Sequence, residues 1–459
     1  MKKVSTSLLL KSALLLVAIF FQSCSGNSKK LADEKAKNTP IIQSFKSGLI
    51  EVNISTASGE VSYAYYIPKS YQSGKTFPLI IVLDPHGDPE IAIRRYSNLA
   101  DEYGYIIVGP YNFKNGLSFE SSNAIVRTMI TEATTILPVD AGAISLCGFS
   151  GGAKAALAAT STINGISNVI YCGAAFPEGT LPLSIPSLGV TGLSDMNFTE
   201  VLYFTTALDT TAGMHSMIVT HQKHEWPDTS VFRMVSDWCN TQHCRIAGNC
   251  DKIRNEFTSR LCLNKISKEP NTVVQDLMYH FYESTYRGIV NTEKIQLKVQ
   301  ANAQSTVYRK SLEQFKASLL AENEAKTKIQ EEFLTKDLNY WSGKIASLRK
   351  DKGSDSNQRL LGYISLGCYS LSRRSIDGGD QQQAQKFLEI YRLADPENSE
   401  WAFLWACLDE QKGNRNGTIA HLKIAHQLGL NDSQKVLKEK WLSRAVEDEQ
   451  VRQLIASMH

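Results

Sequence analysis

From Gly48 to about Trp238 the chain alternates short apolar runs with longer segments of mixed polarity. Leu49 to Asn53 and Val61 to Ile67 predict an antiparallel opening pair of strands. Pro78-Leu79-Ile80-Ile81-Val82-Leu83 is continuously apolar, the pattern of a strand covered on both faces. A helical stretch from Ile91 to Tyr103 leads to the strand Tyr105-Ile106-Ile107-Val108, and a second from Ser121 to Leu137 leads to Ala143-Ile144-Ser145-Leu146-Cys147. A run of small residues, Ala153 to Ala159, follows as a helix. Then come the strands Val169 to Cys172, Ser187 to Val190 and Ser216 to Val219, with a helix around Asn197 to Leu208 before the last. Such alternation predicts a mostly parallel sheet with helices on both faces. In these sheets ligands meet the protein at the carboxyl ends of the strands.

The strands stop near residue 240. Residues 252 to 350 read as helix, with a long charged stretch from Ser311 to Lys350. Beyond it, positions recur at a spacing of 36: Ala420 follows Ala384, Ile424 follows Leu388, and Trp405 follows Tyr369. Helix pairs of 34 to 40 residues that stack on their neighbours mark an α-solenoid. From about Leu360 to Leu437 the chain resembles tetratricopeptide repeats, which implies a surface able to bind a protein partner. A plain helical bundle is the alternative. The predicted divisions are an α/β domain over 45–240, a helical, cysteine-containing connecting region over 241–350 that is a candidate cover for a site, and helical repeats over 351–459.

Charge and composition sharpen the picture at the N-terminus and at the cysteines. A formal net charge of +3 is small for 459 residues and argues against a nucleic-acid surface. At the N-terminus, Lys2 and Lys3 precede an apolar stretch from Leu8 to Phe21, broken by Lys11 and Ser12 and closed by Phe21-Gln22-Ser23-Cys24. This reads as an export signal over 1–24. Ser23-Cys24 resembles a bacterial lipoprotein box, which implies cleavage before Cys24 and its lipidation. An ordinary secretory signal and a short membrane span are the alternatives. The polar segment that follows predicts a flexible tether over 25–44, because it offers almost nothing to bury. The expected location is the bacterial cell envelope, as a lipid-anchored protein facing the periplasm or on the outer membrane. No later segment reaches the roughly 18 uninterrupted apolar residues of a membrane span. Outside a reducing compartment cysteines pair. The cluster of Cys239, Cys244, Cys250 and Cys262 predicts two disulfides, with three connectivities open. A zinc site with His243 is the rival, although no paired C-x-x-C is present. Cys147, Cys172, Cys368 and Cys407 lie in apolar contexts and read as buried thiols.

The chemistry centres on Gly148-Phe149-Ser150-Gly151-Gly152, which ends a predicted strand and opens a helix. A strand, sharp turn and helix hold a serine nucleophile at the top of such a sheet. The turn strains the backbone, so the flanking residues must be small. A serine nucleophile needs a base, and the base an orienting acid. His224, in His224-Glu225-Trp226-Pro227, directly follows the last predicted strand. Asp195, in Gly192-Leu193-Ser194-Asp195-Met196-Asn197-Phe198, follows the strand ending near Val190. Asp209 is a competing acid and His221 a runner-up base, while His215 and His86 read as structural. The oxyanion of a tetrahedral intermediate needs backbone donors. The amide of Gly151 is one, and Gly87 or Asp88, in Asp84-Pro85-His86-Gly87-Asp88 after Leu83, is the other.

Taken together, the Gly-Phe-Ser-Gly-Gly turn, the Asp-Pro-His-Gly loop, Gly192 to Phe198 and His-Glu-Trp-Pro resemble α/β-hydrolases of the polyhydroxybutyrate-depolymerase-like and dienelactone-hydrolase-like esterase group, over roughly residues 45 to 240. The resemblance implies an α/β-hydrolase sandwich with a mostly parallel sheet, followed here by an all-α helical-repeat region. It also implies Ser150 as nucleophile, His224 as base and Asp195 as its partner. Gln222 and Lys223 stand where relatives often carry two glycines, a departure that bears on substrate range more than on chemistry. The expected function is a serine hydrolase of the envelope that cleaves carboxylic esters, in a small molecule or a polymer, through an acyl-enzyme. Neither metal nor organic cofactor is implied. A serine peptidase of the same fold, or a non-catalytic scaffold that binds a partner through its helical repeats, are the alternatives.

Overall fold

The computed structural model describes residues 45–176, 183–208, 214–351 and 353–458. The expected signal, Cys24, the tether up to residue 44 and the competing acid Asp209 lie outside the described residues.

Eight strands form one sheet: β1 (Ile50–Ser55), β2 (Ser62–Tyr66), β3 (Phe77–Leu83), β4 (Ile106–Pro110), β5 (Val139–Phe149), β6 (Asn168–Cys172), β7 (Ser187–Gly192) and β8 (His215–Thr220). Their order is β1-β2-β4-β3-β5-β6-β7-β8. β2 runs antiparallel to both neighbours, and every pairing from β4 to β8 is parallel. The apolar runs β4, β6 and β7 are buried along their whole length, as strands covered on two faces must be. The covering helices are α1 (Pro89–Tyr103), α2 (Phe119–Ile136), α3 (Gly151–Ala159), α4 (Phe198–Leu208) and α5 (Thr229–Ala247). α1 illustrates local punctuation: the Asp88 side chain caps the amide of Glu90, Pro89 opens the first turn, and Gly104 closes the helix in a left-handed conformation. This is the α/β-hydrolase fold the sequence led us to expect.

Helices continue as α6 (Lys252–Ile266), α7 (Thr272–Tyr286), α8 (Glu293–Gln304), α9 (Thr306–Thr335), α10 (Leu338–Lys350), α11 (Asp355–Asp377), α12 (Gln381–Ala394), α13 (Ser399–Gln411), α14 (Arg415–Gln427), α15 (Ser433–Lys438) and α16 (Glu449–Ala456). Among the described residues no helix is long and apolar enough to cross a membrane. α7 covers the outer strand β8, where the Val219 amide meets the Met278 sulfur at 3.2 Å. One apolar core runs from Val61 to Leu319 and unites the sheet with α1–α7. A second runs from Ile329 to Met458. α9, about 45 Å long for its 30 residues, enters both: Leu319 belongs to the first, Ile329 and Phe333 to the second.

Two expectations need correction. The helix pairs α11–α12 and α13–α14 recur at 34 residues, from the Gly379-Asp380 turn to the Gly413-Asn414 turn, and not at 36. At the true offset Leu388 and Leu422 are equivalent and fully buried, whereas Ala384 is buried and Ala420 exposed. The cysteine cluster holds one disulfide, Cys244–Cys250, which ties the last turn of α5 to the segment after it. Cys239 and Cys262 are separate buried thiols. Cys239 faces the sheet, with its sulfur 4.0 Å from Ser145 Oγ, and burial pushes its pKa up to about 12. Cys262 lies on α6 within reach of the Asp237 charge, and burial pushes its pKa up too. The two thiols therefore answer to different neighbours. The disulfide also consumes two of the sulfurs a zinc site would use, and His243 Nε2 sits 3.4 Å from the Asn168 amide nitrogen.

Candidate active site

β5 delivers the chain to Ser150 at the N-terminus of α3. Ser150 has φ 52° and ψ −118°, a conformation that costs free energy for any residue with a Cβ. Close packing holds it there. A Cβ on Gly148 would fall 2.0 Å from the Gly152 carbonyl oxygen, and one on Gly152 would fall 2.0 Å from the Leu83 carbonyl oxygen. The Ser150 amide donates to Cys172 O in β6 at 2.8 Å, which fastens the turn to the sheet. A serine in this position ordinarily caps its helix. Ser150 makes no such bond, and its Oγ lies 3.0 Å from His224 Nε2 instead.

His224 Nδ1 is 3.0 Å from both carboxylate oxygens of Asp195. A carboxylate can only accept, so Nδ1 carries the proton and Nε2 offers its lone pair to the serine hydroxyl. Asp195 is almost wholly buried, and the imidazole is one-fifth exposed. The turn from β7 to α4 shapes the acid's setting: Asp195 Oδ1 accepts the Asn197 amide at 2.8 Å, and Asn197 Nδ2 reaches Gly173 O at 2.8 Å. The Phe149 ring packs on the imidazole, with centroids 4.8 Å apart. Three residues predicted from separate strand ends thus meet in one hydrogen-bonded line.

The loop carrying His224 is pinned from behind. Trp226 Nε1 donates to Asp84 Oδ2 at 2.8 Å, Arg95 Nη1 to Trp226 O at 2.8 Å, and Tyr96 OH to Pro227 O at 2.6 Å. Asp84 is the shared anchor, since its other oxygen accepts the amides of His86 at 2.8 Å and Asp88 at 3.4 Å. Burial works to raise the Asp84 pKa, but hydrogen bonds from His86 and Trp226 outweigh it and hold the carboxyl below its usual range. His86 moves the other way. The Asp84 carboxylate, 3.6 Å from its ring, raises its pKa, with lesser and opposing influences from Lys435 and Glu400 on the C-terminal helices.

The Gly151 amide is the first of α3 and has no partner inside the helix, as an oxyanion donor requires. The other two donor candidates are engaged within their own loop: Gly87 N donates to Asp84 O at 3.2 Å, and Asp88 N to the Asp84 side chain. Asn115, which the sequence reading did not single out, comes from the loop after β4. Its Oδ1 lies 1.8 Å from where a Cβ on Gly151 would stand. No motif marks it, because its relevance comes from packing across the elbow.

The rival histidines are placed elsewhere. His221 is largely exposed, with Nε2 2.9 Å from Glu269 Oε2. His215 is buried against Ser187 Oγ at 2.9 Å. The His86 side chain is mostly exposed, 3.6 Å from Asp84. Among the described residues no group of three or more His, Cys, Asp or Glu is disposed to hold a metal ion.

No protein-family model and no curated protein matches the chain. Solved structures similar to it include a hyperthermophilic esterase from the archaeon Pyrobaculum calidifontis, at 13% identity over 42% of this chain and 86% of that one, with a TM-score of 0.36. A truncated carbohydrate esterase from gut microbiota is similar at 12% identity over 43% and 96%, TM-score 0.37. The feruloyl esterase module from Clostridium thermocellum is similar at 14% identity over 41% and 86%, TM-score 0.33. These structural neighbours are hydrolases. The fold assignment itself stands on this chain's own strand order.

Proposed function

We propose that the chain is a serine hydrolase that cleaves carboxylic esters through a covalent acyl-enzyme. The observation that carries the reading is the line Ser150 Oγ, His224 Nε2, His224 Nδ1, Asp195, each contact 3.0 Å, with the serine strained on its turn and its hydroxyl withheld from helix capping. In the first step His224 Nε2 takes the Ser150 proton as Oγ attacks the ester carbonyl carbon. Asp195 keeps the imidazole in the required tautomer and stabilises its positive charge. The Gly151 amide receives the oxyanion. Gly87 or Asp88 joins it only if the Asp84 turn exchanges an internal bond for one to substrate. His224 then protonates the leaving alcohol, the carbonyl reforms, and the acyl group stays on Ser150. Water, deprotonated by the same imidazole, attacks the acyl-enzyme and releases the acid.

Within this reading we place the chain with the polyhydroxybutyrate-depolymerase-like and dienelactone-hydrolase-like esterases, and its helix pairs with tetratricopeptide-like repeats that bind a protein partner. Lys2, Lys3, the apolar stretch and Ser23-Cys24 support an envelope location with a lipid on Cys24. The test is a fluorophosphonate probe on the chain from residue 25, followed by parallel panels of chromogenic esters and amino-acid amides. Labelling and ester turnover should both be lost in Ser150→Ala, with turnover down by about 10⁴-fold or more. Labelling that survives this change refutes the nucleophile, and faster turnover of amides than esters makes the enzyme a peptidase.

A further inference from the structure

The loop bearing Asp195 is held from both sides by one buried cluster of charge on the C-terminal helices. Arg359, on α11, donates through Nη1 to Leu193 O. Lys326, on α9, donates through Nζ to Met196 O at 2.7 Å. Glu322, one turn before Lys326, joins the two cations: its Oε2 accepts from Arg359 Nε at 2.7 Å and Nη2 at 2.6 Å, and its Oε1 lies 2.8 Å from Lys326 Nζ. Ser194 Oγ is a third anchor, 2.9 Å from Asp355 Oδ1 at the start of α11. Residues 193, 194 and 196 are therefore each tied to α9 or α11, and residue 195, between them, faces His224.

The cluster is costly to build. Arg359 and Glu322 are buried and the Lys326 side chain is only 13% exposed. Taking such groups from water is compensated only by close pairing and full hydrogen bonding, and apolar contacts would join two helical surfaces as well or better. Apolar contacts already exist here: Phe198 meets Phe315 edge to face, with centroids 6.1 Å apart, and the Arg359 guanidinium covers the Phe198 ring at 5.1 Å. What charge adds is direction. Two cations each aim an N–H at one backbone carbonyl, and those carbonyls flank the acid.

We propose that Arg359, Glu322 and Lys326 are positioning residues for Asp195, so that the helical region completes the catalytic site rather than merely adjoining it. The inference rests on the serine-hydrolase reading above. A misplacement of about 1 Å in a catalytic group costs on the order of 100-fold in rate, so loosening the loop should lower kcat and leave KM nearly unchanged.

The test compares Lys326→Met, Lys326→Arg, Asp195→Asn and the double variant Lys326→Met/Asp195→Asn, each checked for native circular dichroism and thermal transition. Lys326→Met should reduce kcat about 10- to 100-fold with KM within a factor of two. Lys326→Arg, which keeps charge and donors, should recover most of the loss. In the Asp195→Asn background the Lys326→Met change should have almost no further effect, because its route to chemistry has been removed. The same fold-loss in both backgrounds, or a folded Lys326→Met enzyme with unchanged kcat, overturns the proposal. Should Lys326→Met fail to fold, the triple variant Glu322→Met/Lys326→Met/Arg359→Met, which removes all three charges together, carries the same comparison with the same deciding outcomes. Ser150→Ala separates the two levels. Loss of turnover there with an unaffected Lys326→Met sinks the positioning role alone, whereas retained turnover sinks both.

Discussion

Single residues in this molecule are set by what they donate to. Trp226 stands in the sequence simply as part of His224-Glu225-Trp226-Pro227, and its indole N–H proves to be a donor to Asp84. Trp226→Phe keeps an aromatic ring, though a smaller one, and leaves a buried carboxylate oxygen without that donor. The expected loss is about 1–3 kcal/mol, read from urea unfolding. Asp237 gives a pH prediction. It is buried beneath Tyr103 OH, which donates to it at 2.6 Å, and burial raises its pKa from 3.8 to about 6 despite that bond and the charges of Arg254 and Arg233. Between those two values the folded chain holds a proton that the unfolded chain has lost, so stability from this group falls as pH rises through the window. Asp237→Asn should therefore stabilise the protein at pH 7.5, by about 2–3 kcal/mol at most, and lose that advantage near pH 4. Thermal transitions of both proteins across that range decide it. A Ser150, a His224 and an Asp195 could be picked from the sequence because each falls just past a strand end, where the fold gathers its chemistry. Asn115 could not, since nothing local distinguishes it from Asn112.

At the scale of elements, strands buried on two faces were the most legible part of the chain, because unbroken apolar runs such as Leu79 to Leu83 have few other uses. The helical half was harder. Its 34-residue recurrence is written in turn glycines and caps, Gly379-Asp380 and Gly413-Asn414, more clearly than in the apolar positions that suggested 36. The cysteines illustrate a different limit: pairing is decided by which way each side chain faces on α5, on α6 and in the segment between them, and proximity in sequence does not fix that. The Cys244–Cys250 bond closes a loop of sequence separation 6. So short a loop restrains the unfolded chain only modestly, by about 2 kcal/mol. Replacing both cysteines with serine should lower stability by that amount and leave fluorophosphonate labelling of Ser150 at its original rate. A large fall in labelling would tie this bond to the active site, against its position at the far end of α5.

For the whole molecule the decisive element is α9, which contributes Leu319 to one core and Ile329 and Phe333 to the other. Neither core can lose its share of this helix without exposing apolar surface in the other, so calorimetry should show a single unfolding transition. Two transitions separated by 10 °C or more would refute that coupling. Truncation after Gln304 should yield a chain that binds hydrophobic dyes, because Phe198 loses Phe315 and the first core loses Leu319. None of this was legible beforehand: the contact between Arg359 and Leu193 joins residues 166 positions apart, and charge patterning along α11 does not say which carbonyl a guanidinium will find. That separation has a temporal meaning. A chain emerging from the ribosome presents Ser150, Asp195 and His224 long before Arg359 exists to secure the turn between β7 and α4, so on the proposed reading the three side chains reach their final alignment only after α11 has been made.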